Sequence, residues 1–209
     1  MQSDFLSLLS AREGHFRYES GYHSNLWLDL DLLFVRPNIV RPFAIELAKK
    51  LVRYKVAAVC GPLVGGALVA QIVASELDVE FYYTERFVVP QQDKLYPVEY
   101  RLPQSLRAAI HGKDVAILDD VISAGSAARG TLTELRTWGV GSVVVGALLV
   151  LGSAAPDFFA AQNIPIESMA TQSSHLWQPA ECPLCRAQMP LEDITADSSR
   201  FPPINATNR

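Results

Sequence analysis

Residues 115–131 read VAILDDVISAGSAARGT, and the rest of the chain is arranged around them. Val115 to Leu118 form a four-residue apolar run, the length of a buried parallel strand. Two carboxylates, Asp119 and Asp120, follow at once, and then a small-residue turn of Ser123, Ala124, Gly125 and Ser126. Residues 127–138 carry a helical pattern with Leu132 and Leu135 on one face. Strand, acidic pair, hydroxyl- and glycine-rich turn, helix is the order of an anion cradle. Small side chains let backbone N–H groups close on a phosphate, and the helix N-terminus adds a favourable dipole. Carboxylates repel that phosphate, so they suit sugar hydroxyls or a metal beside it. The structural alternative is an ordinary strand–turn–helix capped by Ser123 or Ser126. A triphosphatase loop, GxxxxGK[ST], does not fit, because Thr131 stands where its lysine belongs, and no GxGxxG fingerprint occurs.

Working outward, a second unit of the same kind precedes the first. An apolar strand over 56–60 runs into Gly61, Pro62, Leu63, Val64, Gly65 and Gly66, and a helix over 67–77 follows. Such a loop at a helix start presents backbone donors to an anion. Helical spacing also marks residues 38–53 and 155–161, and strands are expected over 79–84, 142–151 and 164–170. Alternating strands and helices imply an α/β fold, an open, mainly parallel sheet with helices on both faces. Both loops then sit at the C-terminal ends of strands and face one crevice.

At the N-terminus, residues 4–12 suggest a short amphipathic helix with Ser3 or Asp4 as its cap. Residues 15–34 break at Ser20-Gly21 and then alternate, Leu26, Leu28, Leu30 and Leu32 against Trp27, Asp29 and Asp31, as in a hairpin. Residues 85–103 are irregular and long enough for a functional lid, although 97–102 suits a short strand equally well. Arg86, Lys94 and Arg101 are the cations of this stretch. Beyond Thr171 prolines multiply, and 197–209 reads as a polar tail. The chain thus divides into an N-terminal segment 1–36, a core 37–170 and a C-terminal segment 171–209. The last holds Cys182-Pro183-Leu184-Cys185, whose spacing suits zinc, with His175 as a candidate third ligand; two reduced cysteines in a docking segment are the plainer reading.

With 209 residues, 49% hydrophobic and 19% charged, the chain is long enough to bury a sizeable core. A formal net charge of −4 argues against general binding to nucleic acid or to an acidic membrane. Three cysteines make no disulfide framework, which points to a reducing cytoplasm. The N-terminus lacks a signal-peptide pattern, and the longest apolar run, 143–151, is too short to span a bilayer.

The acidic motif and its loop resemble the phosphoribosyl-pyrophosphate motif of type I phosphoribosyltransferases, most of all the orotate branch, and the resemblance covers about 13–152. It implies a homodimeric, Mg2+-dependent enzyme of pyrimidine biosynthesis that transfers ribose 5-phosphate to a nitrogenous base and releases pyrophosphate. Asp119 and Asp120 would hold the ribose, and Val121, Ile122, Ser123, Ala124, Gly125, Ser126 and Ala127 the 5-phosphate. The 61–66 loop and Arg86 would take pyrophosphate, with Lys94 and Arg101 as further lid cations. An N-terminal hood would cover the base with His23, Trp27 and Leu28, His23 standing where the orotate family has a lysine and Trp27-Leu28 where it has phenylalanines. Three departures from the orotate pattern stand out. Val64 replaces a lysine of the pyrophosphate loop, the lid is not lysine-rich, and the strand over 142–151 ends in Leu151-Gly152-Ser153 rather than in an Asp-Arg pair. Arg129 fits the general family pattern but does not replace that arginine. The rival reading is a non-catalytic regulator or scaffold that binds phosphoribosyl pyrophosphate.

Overall fold

From residue 37 onward, each apolar run becomes a strand and each amphipathic segment a helix laid across it. The computed structural model describes residues 2–88 and 95–194. The chain opens with α1 (Gln2–Leu6), the hairpin β1 (Ser10–Arg17) and β2 (His23–Asp29), and a single turn, α2 (Asp31–Phe34). The core follows as α3 (Pro37–Leu51), β3 (Ala58–Pro62), α4 (Gly65–Leu77), β4 (Glu80–Val88) and β5 (Val98–Arg101). It continues through β6 (Val115–Ile122), α5 (Ser126–Thr137), β7 (Val143–Leu151), α6 (Ala154–Ala160) and β8 (Ile166–Gln172). The last described elements are β9 (Leu176–Trp177), α7 (Pro183–Arg186) and β10 (Glu192–Asp193).

The main sheet has the order β5-β4-β3-β6-β7-β8 and is parallel except for β5, which runs antiparallel to β4. Its central strands are covered on both faces, which is why β6 and β7 read as nearly unbroken apolar runs. Ala116 and Leu118 of β6 pack toward α3 and α4 with Leu47, Leu51 and Val73. Val115 and Ile117 point the other way, toward Leu132, Leu135 and Phe159 of α5 and α6. The two-residue period of the strand therefore feeds two separate cores.

A second, four-stranded sheet, β10-β1-β2-β9, forms the hood. Its middle is the N-terminal hairpin, and its two edges come from the C-terminal segment.

Three expectations change. The helix expected over 4–12 ends at Leu6, because Ser10, Ala11 and Arg12 pair with Asp29, Leu28 and Trp27 instead. The alternation at 26–32 stops when the chain turns into α2, which leaves Leu32 65% exposed and Leu33 buried. The irregular stretch at 85–103 is partly ladder: Glu85 to Val88 pair with Arg101 to Val98. The expected polar tail, 197–209, lies outside the described residues, as does Lys94. No helix among the described residues is long and apolar enough to cross a membrane.

Leu47 has no exposed surface and packs where α3 crosses Gly146 of β7. Leu47→Ala is expected to cost about 2–5 kcal/mol, seen as a lower urea midpoint at an unchanged slope. Leu32→Ala should stay within about 0.5 kcal/mol of the parent.

Candidate active site

β3 and β6 are neighbours, yet the chain leaves β3 toward β4 and leaves β6 toward β7. Their C-terminal ends therefore diverge, and a crevice opens at that switch point. A cavity of about 460 Å3 fills it, roofed by the hood.

The acidic pair stands at its floor. Asp119 is buried, and its Oδ1 accepts the backbone N–H of Asp120 at 3.1 Å. The Asp120 carboxylate in turn accepts the N–H of Val121 at 2.9 Å. Burial raises the pKa of both carboxyls, and the charge of Asp120 raises that of Asp119 further. Among the described residues, no lysine or arginine forms an ion pair with either. The pair is thus a desolvated, oxygen-donor site short of positive charge, which suits sugar hydroxyls and a hard cation.

Beyond it the chain turns through Gly125, at φ 80°, a left-handed conformation that suits glycine, and enters α5. Ser123, Ala124, Gly125, Ser126 and Ala127 all line the cavity, so the first turn of α5 aims its N–H groups inward. The buried Oγ of Ser123 has no hydrogen-bond partner among the described residues, and a bound anion would satisfy it. Neither serine caps the helix through its side chain, contrary to the plain structural alternative. Ile122 is buried in the core beneath the loop, so it can contribute only backbone; Val121 lines the cavity.

The 61–66 loop forms the opposite wall, where α4 presents a second helix N-terminus. A Cβ on Gly65 would fall on the Asp120 carboxylate, so glycine is required there for the two loops to meet. Pro62, Leu63, Val64, Gly65 and Gly66 line the cavity, while Gly61 lies beneath, against the backbone of Gly66. Arg86, from β4, is the one cationic side chain among the described residues that line the cavity. It is held at 2.5 Å by Glu19, which also accepts the Tyr100 hydroxyl at 2.8 Å.

The hood supplies Trp27 and Leu28, and also Tyr18, Glu19 and Ser20 of the β1–β2 turn. The last three escaped the sequence reading, as did Tyr100 of β5, because a turn and a short edge strand carry no local motif and reach the cavity only through the tertiary fold. His23 does not reach the cavity. It is buried on another side of the hood, its Nδ1 3.1 Å from His15 Nε2 and 3.2 Å from Cys185 Sγ. Burial, with His15 nearby, lowers its pKa, so it offers no charge in place of a lysine. Arg101 is likewise outside the cavity, bound to Glu99 at 2.6 Å and stacked over Phe87. Arg129 is sandwiched between Tyr96 and Phe158 and donates to the Ala154 carbonyl at 2.9 Å. Cys60 is buried in the core, and burial pushes its thiol pKa up. Cys182 and Cys185 gather with His15 and His23 rather than with His175, which stacks on Trp177.

The phosphoribosyl transferase domain family matches residues 37–156. An orotate phosphoribosyltransferase of Caldanaerobacter subterraneus is 28% identical over 187 residues, 90% of this chain and 91% of that one. The orotate phosphoribosyltransferase structure from Aeropyrum pernix superposes with a TM-score of 0.59 at 24% identity, over 82% of this chain and 94% of that one. The adenine phosphoribosyltransferase structure from Thermoanaerobacter pseudethanolicus superposes at 0.62 with 15% identity, over 82% and 100%. The shared fold therefore does not select the base.

The raised carboxyl of Asp119 carries a stability cost with a definite pH dependence. The unfolded aspartate ionises near pH 3.9, before the folded one, so stability falls as pH climbs from there through the higher native pKa. Asp119→Asn removes the charge but keeps an oxygen for the Asp120 N–H. The variant should be more stable than the parent at pH 8 by on the order of 1–3 kcal/mol. Thermal melts across pH should show that advantage shrinking toward pH 4.

Proposed function

Because this chain belongs to the phosphoribosyl transferase family, we propose that it transfers ribose 5-phosphate from phosphoribosyl pyrophosphate to a ring nitrogen of a planar base, releasing pyrophosphate. The observation that carries this reading is the crevice itself. Two helix N-termini open on one cavity, with a buried carboxylate pair between them. One anion site on each side of a hydroxyl-binding centre matches a sugar with a phosphate at one end and pyrophosphate at the other.

The chain's part in the reaction is positioning and charge stabilisation. Asp119 and Asp120 accept hydrogen bonds from the ribose hydroxyls and hold the ring while positive charge develops near its anomeric carbon. Backbone N–H groups of 123–127 and the Ser123 hydroxyl fix the 5-phosphate. Backbone donors of 61–66 and the Arg86 guanidinium receive charge on the leaving pyrophosphate. Trp27, Leu28 and Tyr18 give the base a flat, mainly apolar slot. Mg2+ fits beside the acidic pair, because buried carboxylates lacking a basic partner supply hard oxygen donors. When bound, it supplies positive charge to the ribose and pyrophosphate oxygens.

Orotate is the base we assign first, on the likeness to orotate phosphoribosyltransferases over nine-tenths of the chain. A homodimer is supported by exposed apolar Leu32 and Val35 beside the hood, and action in a reducing compartment such as the cytoplasm by three unpaired cysteines.

Pyrophosphate release from phosphoribosyl pyrophosphate and Mg2+ should appear with orotate and be absent with uracil and adenine. Asp120→Asn should lower kcat by at least about 100-fold. Binding of phosphoribosyl pyrophosphate with no release, whichever base is supplied, would move the reading to a regulator. A second measurement concerns Glu19, whose carboxylate occupies the Arg86 guanidinium. Glu19→Gln should release Arg86 and lower KM for phosphoribosyl pyrophosphate several-fold, by about 1 kcal/mol of binding; an unchanged or higher KM would separate Arg86 from pyrophosphate.

A further inference from the structure

The hood's other buried polar cluster lies away from the cavity. His15 of β1 and His23 of β2 are diagonal neighbours on one face of the hairpin, because Arg17 pairs with His23 and His15 lies two residues before Arg17. The C-terminal segment leaves β9 at Trp177, beside His23, and returns as β10 beside Phe16. Between these edges it crosses the hairpin, and α7 brings Cys182 and Cys185 down onto the two imidazoles. The four donor atoms all lie within 4.8 Å of one another.

The distances have a pattern. His15 Nε2 is 3.1 Å from His23 Nδ1, 3.4 Å from Cys182 Sγ and 3.6 Å from Cys185 Sγ, and Cys185 Sγ is 3.2 Å from His23 Nδ1. A tetrahedral zinc with ordinary Zn–N and Zn–S bonds separates its ligand atoms by about 3.3–3.8 Å. The tautomer agrees as well. His15 Nδ1 lies 2.9 Å from the Met189 carbonyl, which can only accept, so Nδ1 carries the proton and Nε2 points a lone pair at the other three donors. A backbone carbonyl that orients the far nitrogen of a ligating histidine is the usual second contact of such sites.

We propose that His15, His23, Cys182 and Cys185 bind one structural zinc ion that clamps the C-terminal segment to the hood. Two thiolates and two neutral imidazoles balance the 2+ charge, and binding releases two thiol protons. Four protein ligands leave no open position, so the site is structural rather than catalytic. Mixed sulfur and nitrogen in a tetrahedron favours zinc over magnesium or calcium. The clamp closes a loop spanning 167 residues between His15 and Cys182, the situation in which a cross-link gains most from chain entropy. It also bears on the cavity, because Tyr18, Glu19 and Ser20 sit on the turn between the two histidine ligands.

The full chain, purified without chelator from zinc-supplemented medium, should carry about one zinc per chain by elemental analysis. Cys182→Ser, Cys185→Ser and His15→Ala should each lose most of it. If these variants fail to fold, the parent chain still decides the matter. Stripped of metal under reducing conditions and titrated with Co2+, it should show the visible bands of tetrahedral cobalt and a thiolate charge-transfer band. A parent chain that holds no zinc and gives no such bands, or one with Cys182 and Cys185 joined as a disulfide, overturns the site. Metal content is read independently of turnover, so that failure would leave the phosphoribosyl reading untouched, and a catalytically silent chain would leave the zinc site untouched.

Discussion

The close approach of the 61–66 loop to the Asp120 carboxylate is the constraint on which the site depends. Gly65 has no room for a side chain because that carboxylate occupies the space. The contact joins two strand–loop–helix units that lie on opposite sides of the sheet's switch point, and it brings both helix N-termini onto one cavity. Held apart by even one methyl group, the acidic pair and the second loop would belong to separate surfaces. Glycine at this position costs conformational entropy on folding, and the return is geometric: two helix N-termini face one cavity across the acidic pair.

The roof has a different origin. A hairpin of two strands is marginal alone, and here neither edge is left open. β9 and β10 pair with its two sides, so the chain's last described elements complete a sheet begun by its first strands. Ion pairs follow the same seam, Arg12 with Glu192 at 2.7 Å and Arg17 with Asp193 at 3.7 Å, although exposed pairs of this kind add little. A metal clamp at its centre would account for why a surface sheet so short is closed on both edges. The cavity roof and the proposed clamp then share one hairpin: Trp27 and Leu28, at the far end of β2, line the cavity, while His15 and His23, near the β1–β2 turn, meet the cysteines.

How much of this is legible in the bare sequence follows from the range of the interactions involved. The anion loops are legible because each is local: strand, glycine turn and helix start lie within twenty residues, and their chemistry is read from spacing. Asp119, Asp120 and the 123–127 turn can therefore be assigned to one crevice from the order of residues alone. The fold's doubly covered sheet is legible for a related reason, since strands buried on both faces are continuous apolar runs. What stays hidden is long-range. His15 and His23 become neighbours only once the hairpin register is known, and the nearer of their cysteines in sequence lies 167 residues from His15. The same missing register leads His23 to be aligned with a base-binding lysine, when its side chain lies against His15 and Cys185, outside the cavity. Arg101 misleads differently: its loop position suggests a lid, but four ladder pairs hold that stretch in the sheet.

The charge balance of the cavity bears on how it would hold the proposed ligand, a highly anionic sugar. Among the described residues, three carboxylates, Glu19, Asp119 and Asp120, line it against one guanidinium, that of Arg86, which is engaged by Glu19. The described side chains alone therefore repel a sugar with a phosphate at one end and a pyrophosphate at the other. On the proposed reading, attraction comes from groups that carry no formal charge, the N–H groups at two helix starts, and a bound Mg2+ would add positive charge beside the acidic pair. This division would have a kinetic virtue. An excess of fixed lysines would bind ground-state pyrophosphate as strongly as the departing one, whereas oriented backbone dipoles would stabilise charge mainly as it develops. The cation-poor leaving-group wall, a departure from the orotate pattern at the level of sequence, is in this light compatible with turnover, provided that Arg86 exchanges Glu19 for pyrophosphate when the ligand enters.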